Sequence, residues 1–333
     1  MAKLRAVSVS DQENEISKPV VSLRGCSGKG RAIRGDMLFS SFTDNGVFPS
    51  TCAEIAKDAQ RFNEFRREPV IVRAMEHESF STGQIHLESV RSCCPERLGY
   101  YLDAGRQNDA VGHPIKYEYS PYGCFSPKTL EYVRIAHDLN HIFGDLSGYE
   151  ILEIGGGYGG QALVLSCLFD LLYTILDLPE VLSLQRRFHA TSGIYGISYA
   201  SAPDQLQNAI ARPSHLLISN SAFAECRKDV QEVYLTSILA YAKRGYMACN
   251  FVMRSRRRIP LIGKYELLRN VKGSYYVDEL PEIYLENRIL LWDRSAPDKY
   301  RSRRQAVLSE LRRDCRVMPK RLIRSAAPDL HGR

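Results

Sequence analysis

A run of five glycines within six residues directly follows a short apolar segment, and it constrains the fold more than any other feature. The sequence Ile151–Gln161 reads ILEIGGGYGGQ, the pattern of a buried strand that enters a tight turn and then opens a helix. Glycine has no Cβ, so it suits a backbone that turns sharply and approaches a ligand closely. The following helix presents unpaired backbone N–H groups toward the same point. We therefore expect a ligand at this glycine turn, Gly155–Gly160.

Short apolar runs alternate with helical patterns from Tyr149 onward. Such alternation predicts a parallel sheet covered by helices on both faces. Two later β-rich runs, SYYVDEL and NRILLWD, are expected to form an antiparallel pair at a sheet edge. Upstream, apolar spacing predicts helices over Thr51–Glu68, Gln84–Asp103 and Pro127–Phe143, the last with Ser126 as its N-cap.

These patterns divide the chain into four segments. Residues 1–50 are expected to be irregular, and 51–145 to form a helical substrate or lid region. Residues 146–295 hold the strand–helix alternation and form the expected cofactor-binding domain. Residues 296–333 form a basic tail, in which eleven Lys and Arg face four Asp and Glu, a surplus of seven that equals the net charge of the whole chain.

Two cofactor-binding templates fit the glycine turn, and the glycines alone do not choose between them. Gly155, Gly157 and Gly160 match the GxGxxG fingerprint of dinucleotide-binding folds. Gly155, Gly157 and Gly159, preceded by Glu153, match the E/D-x-G-x-G-x-G turn of class I methyltransferases, which bind S-adenosylmethionine.

Three neighbouring features support a cofactor site, and the first and third of them favour S-adenosylmethionine. An acid at Glu153 suits an ammonium and a sulfonium better than an anionic pyrophosphate. Asp177 ends the next apolar run, at the spacing of the acid that binds ribose hydroxyls in both templates. The antiparallel edge is usual for class I methyltransferases and not for six-stranded dinucleotide folds. The expected cofactor contacts are Glu153, Gly155, Gly156, Gly157, Gly159, Asp177, Leu178, Ser219 and Asn220.

Residues from about Asn108 to Val252 resemble a family of sugar O-methyltransferases found in bacterial surface-polysaccharide clusters. The matching pieces are GHPIKYEYSPYGCFSPKTLEYV, EIGGGYGGQALVL, YTILDLPEV, and LLISNSAFAEC with the downstream RGYMACNF. The resemblance implies an α/β, Rossmann-like class I methyltransferase fold, with a seven-stranded, mostly parallel sheet and one antiparallel edge strand. It also implies S-adenosylmethionine as cofactor and methyl transfer to a hydroxyl of a sugar or glycan, in polysaccharide or glycoside biosynthesis.

Methyl transfer from a sulfonium mainly requires the acceptor oxygen to be held in line with the methyl group and the sulfur. A hydroxyl acceptor also benefits from a base. Glu225, just beyond the run HLLISN, is the expected base, with His113 as a second catalytic candidate; an exposed carboxylate at a helix start is the open alternative for Glu225.

The expected substrate contacts combine aromatic rings, which suit the apolar faces of sugars, with arginines, which suit phosphate or carboxylate groups. The alternatives are packing within a surface loop for the tyrosines, a turn-forming amide for Asn220, core packing for Phe223 and a solvated basic loop for the arginines. The sequence contains no metal-ligand motif such as HExxH, so we expect catalysis without a metal. The substrate contacts are Tyr117, Tyr119, Asn220, Phe223, Arg256 and Arg257.

Composition narrows the remaining classes. With 44% apolar and 25% charged residues, the chain can bury a core, which excludes disorder throughout. Its most apolar stretch, 162–176, is interrupted by Asp170 and is too short to span a bilayer. Nine cysteines without a CxxC pair predict free thiols in the cytoplasm.

The expected partner is a sugar, nucleotide-sugar or glycan substrate, with a homodimer open and nucleic acid not expected. Three other functions stay open at this point. The chain could be an NAD(P)-dependent oxidoreductase, or a methyltransferase for a non-sugar hydroxyl. It could also be a non-catalytic protein whose basic tail binds nucleic acid or an anionic surface.

Overall fold

The structure is a computed structural model that describes residues 46–201, 215–251, 262–279 and 287–295, with residues 307, 309, 310 and 313. All of these belong to one structural unit of the chain, residues 34–333. Arg256 and Arg257, almost all of the predicted irregular N-terminus and most of the basic tail lie outside the described residues.

Eight helices and a small hairpin of the described residues precede or flank the first part of the sheet. The helices are α1 Val47–Lys57, α2 Ala59–Asn63, α3 Pro69–Met75, α4 Phe80–Cys93, α5 Leu98–Asn108, α6 Pro127–Phe143, α7 Gly160–Leu168 and α8 Pro179–Thr191. Short 3₁₀ turns lie at Phe65–Arg67 and Pro95–Arg97, and the hairpin pairs β1 Tyr117–Glu118 with β2 Cys124–Phe125. Later helices are Ala222–Glu225, Lys228–Tyr234, continued by a π-helical turn Leu235–Leu239, and Lys264–Asn270.

Capping residues and a proline explain which of the predicted helices are confirmed and which are divided into two. Ser126 caps α6 by accepting a hydrogen bond from the Thr129 amide, as predicted. The predicted helix over Thr51–Glu68 is wrong as one element, because Asp58 ends α1 and caps α2. The predicted helix over Gln84–Asp103 is likewise two helices, since Pro95 cannot continue a helix that has begun.

Seven described strands form the main sheet in the order β5-β4-β3-β6-β7-β9-β8. Neighbours pair in parallel from β5 to β7, and β9 pairs antiparallel with both β7 and β8. This confirms the predicted Rossmann-like methyltransferase fold with an antiparallel pair at one edge, in which β9, the inner strand of that pair, is the reversed one. The strands are β3 Glu150–Ile154, β4 Leu172–Leu176, β5 Ile197–Ala200, β6 His215–Asn220, β7 Arg244–Asn250, β8 Tyr275–Asp278 and β9 Asn287–Asp293.

Both faces of the sheet are buried, which explains why its central strands read as nearly continuous apolar runs. Ile151 and Tyr246 lie in a core shared with α1 and α4–α8, so the helical N-terminal residues pack directly on the sheet. Leu152 and Met247 face the opposite core, built with the helices that follow β6 and β7. No helix among the described residues is long and apolar enough to cross a membrane.

The topology brings several chain segments to one edge of the sheet. Along the chain, β3, β4 and β5 extend in one direction, and β6 returns to the other side of β3. The carboxyl ends of strands at such a reversal form the usual ligand crevice of an α/β sheet. Tyr132, in the N-terminal half of α6, packs against Gly160, so the first part of this helix lies at the same edge.

Candidate active site

The glycine turn lies at the end of β3 and requires glycine at alternate positions. Gly155, Gly157 and Gly159 have φ of +73°, +57° and +101°, a region that side chains with a Cβ rarely adopt. A Cβ on Gly157 would lie 2.7 Å from the sulfur of Met75, and one on Gly159 would lie 2.6 Å from the His189 ring. Backbone conformation and close packing therefore explain the glycine pattern predicted as the cofactor cradle.

Glu153 lies two residues before the turn and is almost wholly buried, at 1% exposure. Its carboxylate accepts a hydrogen bond from the Tyr173 hydroxyl at 3.0 Å and one from Asn220 Nδ2 at the long distance of 3.5 Å. Burial raises the pKa of Glu153 to about 8, against the lowering effect of the Tyr173 hydrogen bond. The site therefore holds a buried acid without a cation in contact among the described residues.

Asp177 follows β4 and is tied to the glycine turn. Its Oδ2 accepts hydrogen bonds from the Gly156 amide at 3.0 Å and from Gln185 Nε2 at 2.8 Å, and its Oδ1 accepts one from the Leu178 amide at 2.8 Å. Burial raises the pKa of Asp177 to about 6, although all three hydrogen bonds act to lower it. The two predicted acids thus lie at adjacent strand ends of one crevice.

Gln185 belongs to this site and was missed by the sequence analysis. It lies on α8, is fully buried, and donates a second hydrogen bond to the Gly157 carbonyl at 2.8 Å. Its signal was a polar residue at a core-facing position, four residues after Val181 and three before Phe188. A buried amide at such a position must find partners, here the glycine turn and Asp177.

Two amide oxygens at the site have no hydrogen-bond partner within the described part of the chain. They are Asn220 Oδ1 and Gln185 Oε1, and both are buried. The Gln185 amide nitrogen donates to the Gly157 carbonyl, which can only accept, and this fixes the orientation of the Gln185 amide. Together with the carboxylates of Glu153 and Asp177, these oxygens fit a ligand that brings donors or positive charge.

Ser219 and Phe223 connect the ends of β3 and β6. Ser219 Oγ donates to the Ile154 carbonyl at 3.0 Å and accepts from the Phe223 amide at 3.1 Å. Both side chains are fully buried, and the Phe223 ring packs near Tyr234. These contacts position the strand ends, and direct contacts of the two residues with cofactor or substrate stay predictions.

Glu225 reaches the same edge through a sharp reversal after β6. Ser221 has φ of +69°, an uncommon value for a residue other than glycine, and it starts the short helix Ala222–Glu225. The Ala222 side chain packs against Gly155, so this helix touches the glycine turn. Glu225 is half-buried there, and its role as a base stays a prediction.

The second catalytic candidate, His113, and the predicted substrate contacts Tyr117 and Tyr119 lie in the helical region. His113 is mostly exposed, with Nδ1 3.9 Å from Glu64, the acid that stands beside it. Tyr119 is buried: its ring stacks on Phe80 at 4.9 Å, and its hydroxyl donates to the Phe80 carbonyl at 3.2 Å. The Tyr117 ring is exposed and meets the Phe80 ring edge-on at 5.9 Å.

Tyr158, inside the glycine turn, points away from the crevice into the helical region. It is fully buried, its hydroxyl accepts from Asn108 Nδ2 at 3.1 Å, and the Arg66 guanidinium lies 4.9 Å from its ring centre. Arg66 is itself wholly buried and pairs with Glu76 at 2.6 Å and Asp109 at 3.0 Å. The turn is therefore anchored on both sides.

Across the described ranges, no group of three or more His, Cys, Asp or Glu side chains is arranged to hold a metal ion.

Comparisons with known proteins give weak structural similarity only. No protein-family model matches the chain, and no curated protein matches it. Similar solved structures include Thermoplasma acidophilum protein 1320 (13% identity, 59% of this chain and 98% of that one, TM-score 0.37) and a variant of MtNAS in complex with S-adenosylmethionine (16%, 74% and 91%, 0.38). An rRNA methylase from Streptococcus thermophilus is a third (13%, 48% and 95%, 0.35). At such identities and TM-scores, these similarities assign neither an activity nor a substrate to this chain.

Proposed function

We propose that the chain is an S-adenosylmethionine-dependent methyltransferase that acts on a hydroxyl of a sugar or glycan. The observation that carries the cofactor is the set of acceptors at the glycine turn: the carboxylates of Glu153 and Asp177 and the unpartnered oxygens of Asn220 and Gln185. S-adenosylmethionine brings an ammonium, a sulfonium and two ribose hydroxyls. A pyrophosphate brings only acceptors and negative charge, which the Asp177 carboxylate and the two amide oxygens would repel.

The residues divide between the two ends of the cofactor. Glu153 and Asn220, on the adjacent strands β3 and β6, would hold the ammonium end. Asp177 would hold the ribose hydroxyls, since a carboxylate offers about four acceptor positions and Asp177 uses three of them. When bound, the cofactor supplies a methyl group activated by its positive sulfur.

The proposal that a sugar hydroxyl accepts the methyl group rests on the family resemblance and on the position of Glu225 at the ligand-binding edge of the sheet. Glu225 would take the hydroxyl proton on its carboxylate as the new O–C bond forms. Its place on the helix that touches Gly155 supports this role. The exposed rings of Tyr117 and Phe80 support a sugar, because aromatic faces match the apolar faces of sugar rings.

Calorimetry with S-adenosylmethionine and, separately, NAD tests the cofactor. We expect S-adenosylmethionine to bind and NAD not to bind. At pH 7, a Glu153 with pKa about 8 is protonated in roughly 0.9 of the molecules, so a cation that ionises it should release a similar number of protons. Proton release appears as a binding enthalpy that depends on the ionisation enthalpy of the buffer.

Two variants locate this proton. Glu153→Gln should remove the buffer dependence and weaken binding, whereas Glu180→Gln, which changes an exposed acid on α8, should leave both unchanged. Binding of NAD without binding of S-adenosylmethionine would refute the proposal that S-adenosylmethionine is the cofactor. Transfer of a labelled methyl group to saccharides, detected by mass spectrometry, tests the acceptor.

A further inference from the structure

A cluster of charged side chains lies between α4 and α6, and the proposed cofactor contacts do not use it. We define the acceptor cluster as Glu78, His86, Lys128 and Glu131. Lys128 Nζ contacts the Glu131 carboxylate and lies 3.8 Å from Glu78 Oε1. The side chains of Glu78, Lys128 and Glu131 keep 14–17% exposure, so the cluster is open to solvent on one side.

The acceptor cluster adjoins the glycine turn through two chain segments. Met75, the last residue of α3, packs against Gly157, and the chain leads from there to Glu78 within three residues. On α6, Lys128 Nζ lies 5.2 Å from the centre of the Tyr132 ring, which packs against Gly160. A ligand at the cluster would therefore lie beside a cofactor bound at the turn.

His86 gives the cluster an unmet hydrogen-bond need. It is 1% exposed, and Arg134 Nε donates to its Nδ1 at 3.2 Å, so its proton lies on Nε2. Neither His86 Nε2 nor Glu78 Oε2, which lie 3.4 Å apart, has a hydrogen-bond partner among the residues described. One hydroxyl group can satisfy both atoms, because it can accept a hydrogen bond from the imidazole and donate another to the carboxyl group.

Two exposed aromatic rings, those of Phe80 and Tyr117, lie next to the cluster, and we call this pair the Phe80–Tyr117 ledge. Phe80 follows Glu78 by two residues and is 41% exposed, and Tyr117 is 38% exposed. Their rings meet edge to face, and the buried Tyr119 ring supports Phe80 from below. Aromatic faces beside carboxyl groups match a sugar, which has apolar C–H faces and a hydroxyl edge.

We infer that the acceptor cluster and the Phe80–Tyr117 ledge bind the methyl acceptor, and that this acceptor is a sugar without an acidic group. The inference rests on the proposed function and narrows its substrate class. A uronic acid or sugar phosphate would bring a further negative charge beside Glu131. Lys128, the cation of this cluster, already pairs with Glu131, so the added charge would have no cation of its own. A sugar with hydroxyl groups alone meets the free donor and acceptor and adds no charge.

The test uses a panel of methyl glycosides with the full-length protein and S-adenosylmethionine that carries a labelled methyl group. The panel holds neutral hexosides, 6-deoxyhexosides and the matching uronides, and mass spectrometry detects transfer. We expect transfer to neutral members and a KM for them about tenfold higher in Glu78→Gln and in Phe80→Ala, with S-adenosylmethionine affinity within about twofold of the wild type. Preference for uronides would overturn the inference.

Matched controls separate this site from general effects. Glu88→Gln changes an exposed acid on α4, and Tyr195→Ala removes a ring that is 83% exposed at a distant loop. Both should leave the sugar KM unchanged. Because Phe80 is an exposed residue, its variant carries the test even where Glu78→Gln fails to fold.

The outcomes distinguish the two proposals. If the wild-type protein does not bind S-adenosylmethionine, the proposed function is refuted. Wild-type transfer to sugars with unchanged KM in both ledge and cluster variants would refute only the acceptor site. Cofactor binding without transfer to any sugar of the panel would overturn the inference and the sugar acceptor together.

Discussion

The guanidinium of Arg66 lies 4.9 Å from the centre of the Tyr158 ring, and both side chains are completely buried. A residue of the helical region thus covers the one aromatic residue of the glycine turn. A buried arginine is tolerated only where acids and hydrogen-bond acceptors surround it. Arg66 meets this condition through Glu76 and Asp109, so the contact joins the turn to a network inside the helical region.

Removal of Arg66 should be among the most damaging single changes in the helical region. Arg66→Met leaves Glu76 and Asp109 buried without their cation, so the free energy of unfolding should fall by about 3–5 kcal/mol. Urea denaturation at pH 7 measures the change. Arg61→Met is the control, because Arg61 pairs with Glu54 and Glu68 at the surface and should contribute at most about 1 kcal/mol.

Gln185 should affect cofactor binding beyond its effect on stability. Gln185→Leu removes the hydrogen bonds to Gly157 and Asp177, so the turn and the acid lose their common support. We expect S-adenosylmethionine affinity to fall by about tenfold, measured by calorimetry. Gln161→Leu, at an equally buried glutamine of α7 that donates to the Tyr132 carbonyl, should lower stability without this loss. Equal affinities in the two variants would argue against the positioning role of Gln185.

Glu153 should make the ligand-free protein less stable as pH rises. Its pKa is about 8 in the folded chain against an ordinary value of 4.5, so the folded state holds its proton more tightly. The associated stability is fully present below pH 4.5 and is lost between pH 4.5 and 8, by up to about 1.4 kcal/mol per pH unit. The difference in unfolding free energy between wild type and Glu153→Gln should change across this range, and a constant difference would contradict it.

His189 should act in the opposite direction. Burial lowers its pKa to about 4 from 6.5, and its Nε2 donates to the Gly159 carbonyl at 2.8 Å in the neutral form. Its contribution to stability is present above pH 6.5 and is lost as pH falls toward 4. Denaturation of wild type and His189→Gln between pH 4 and 7 should show the difference shrinking toward acid pH. A difference that grows toward acid pH would refute this assignment.

The strands were predictable because their signal is local. A strand buried on both faces is apolar along nearly its whole length, so runs such as ILEI and HLLISN indicate strands without any other information. The start of α6 and its N-cap were predictable for the same reason, since Ser126 and Pro127 act within the first helical turn. The breaks at Asp58 and Pro95 carried similar signals, but the apolar spacing on either side outweighed them in the prediction.

The site was predictable only where spacing along the chain determines position in space. Glu153 and Asp177 are fixed by the strand ends that they occupy, and the structure brings them to adjacent ends of the crevice. The contacts of Gln185 and Glu78 depend on how α8 and the α3–α4 loop pack near the turn. Helical spacing places Gln185 on the core-facing side of α8, but it does not say which groups Gln185 meets there. His113 was predicted from its place in the tyrosine-rich loop GHPIKYEY, and the structure puts Glu64 beside it.

The burial of Tyr158 has a practical consequence for anyone who shortens the chain. A fragment that begins at residue 146 would retain the seven described strands of the main sheet, yet it would lack Phe65, Arg66 and Asn108, which cover that ring and its hydroxyl. The excised piece would expose a large aromatic side chain to water from the loop that must stay ordered. Expression of residues 146–333 on their own is therefore a poor strategy for this protein.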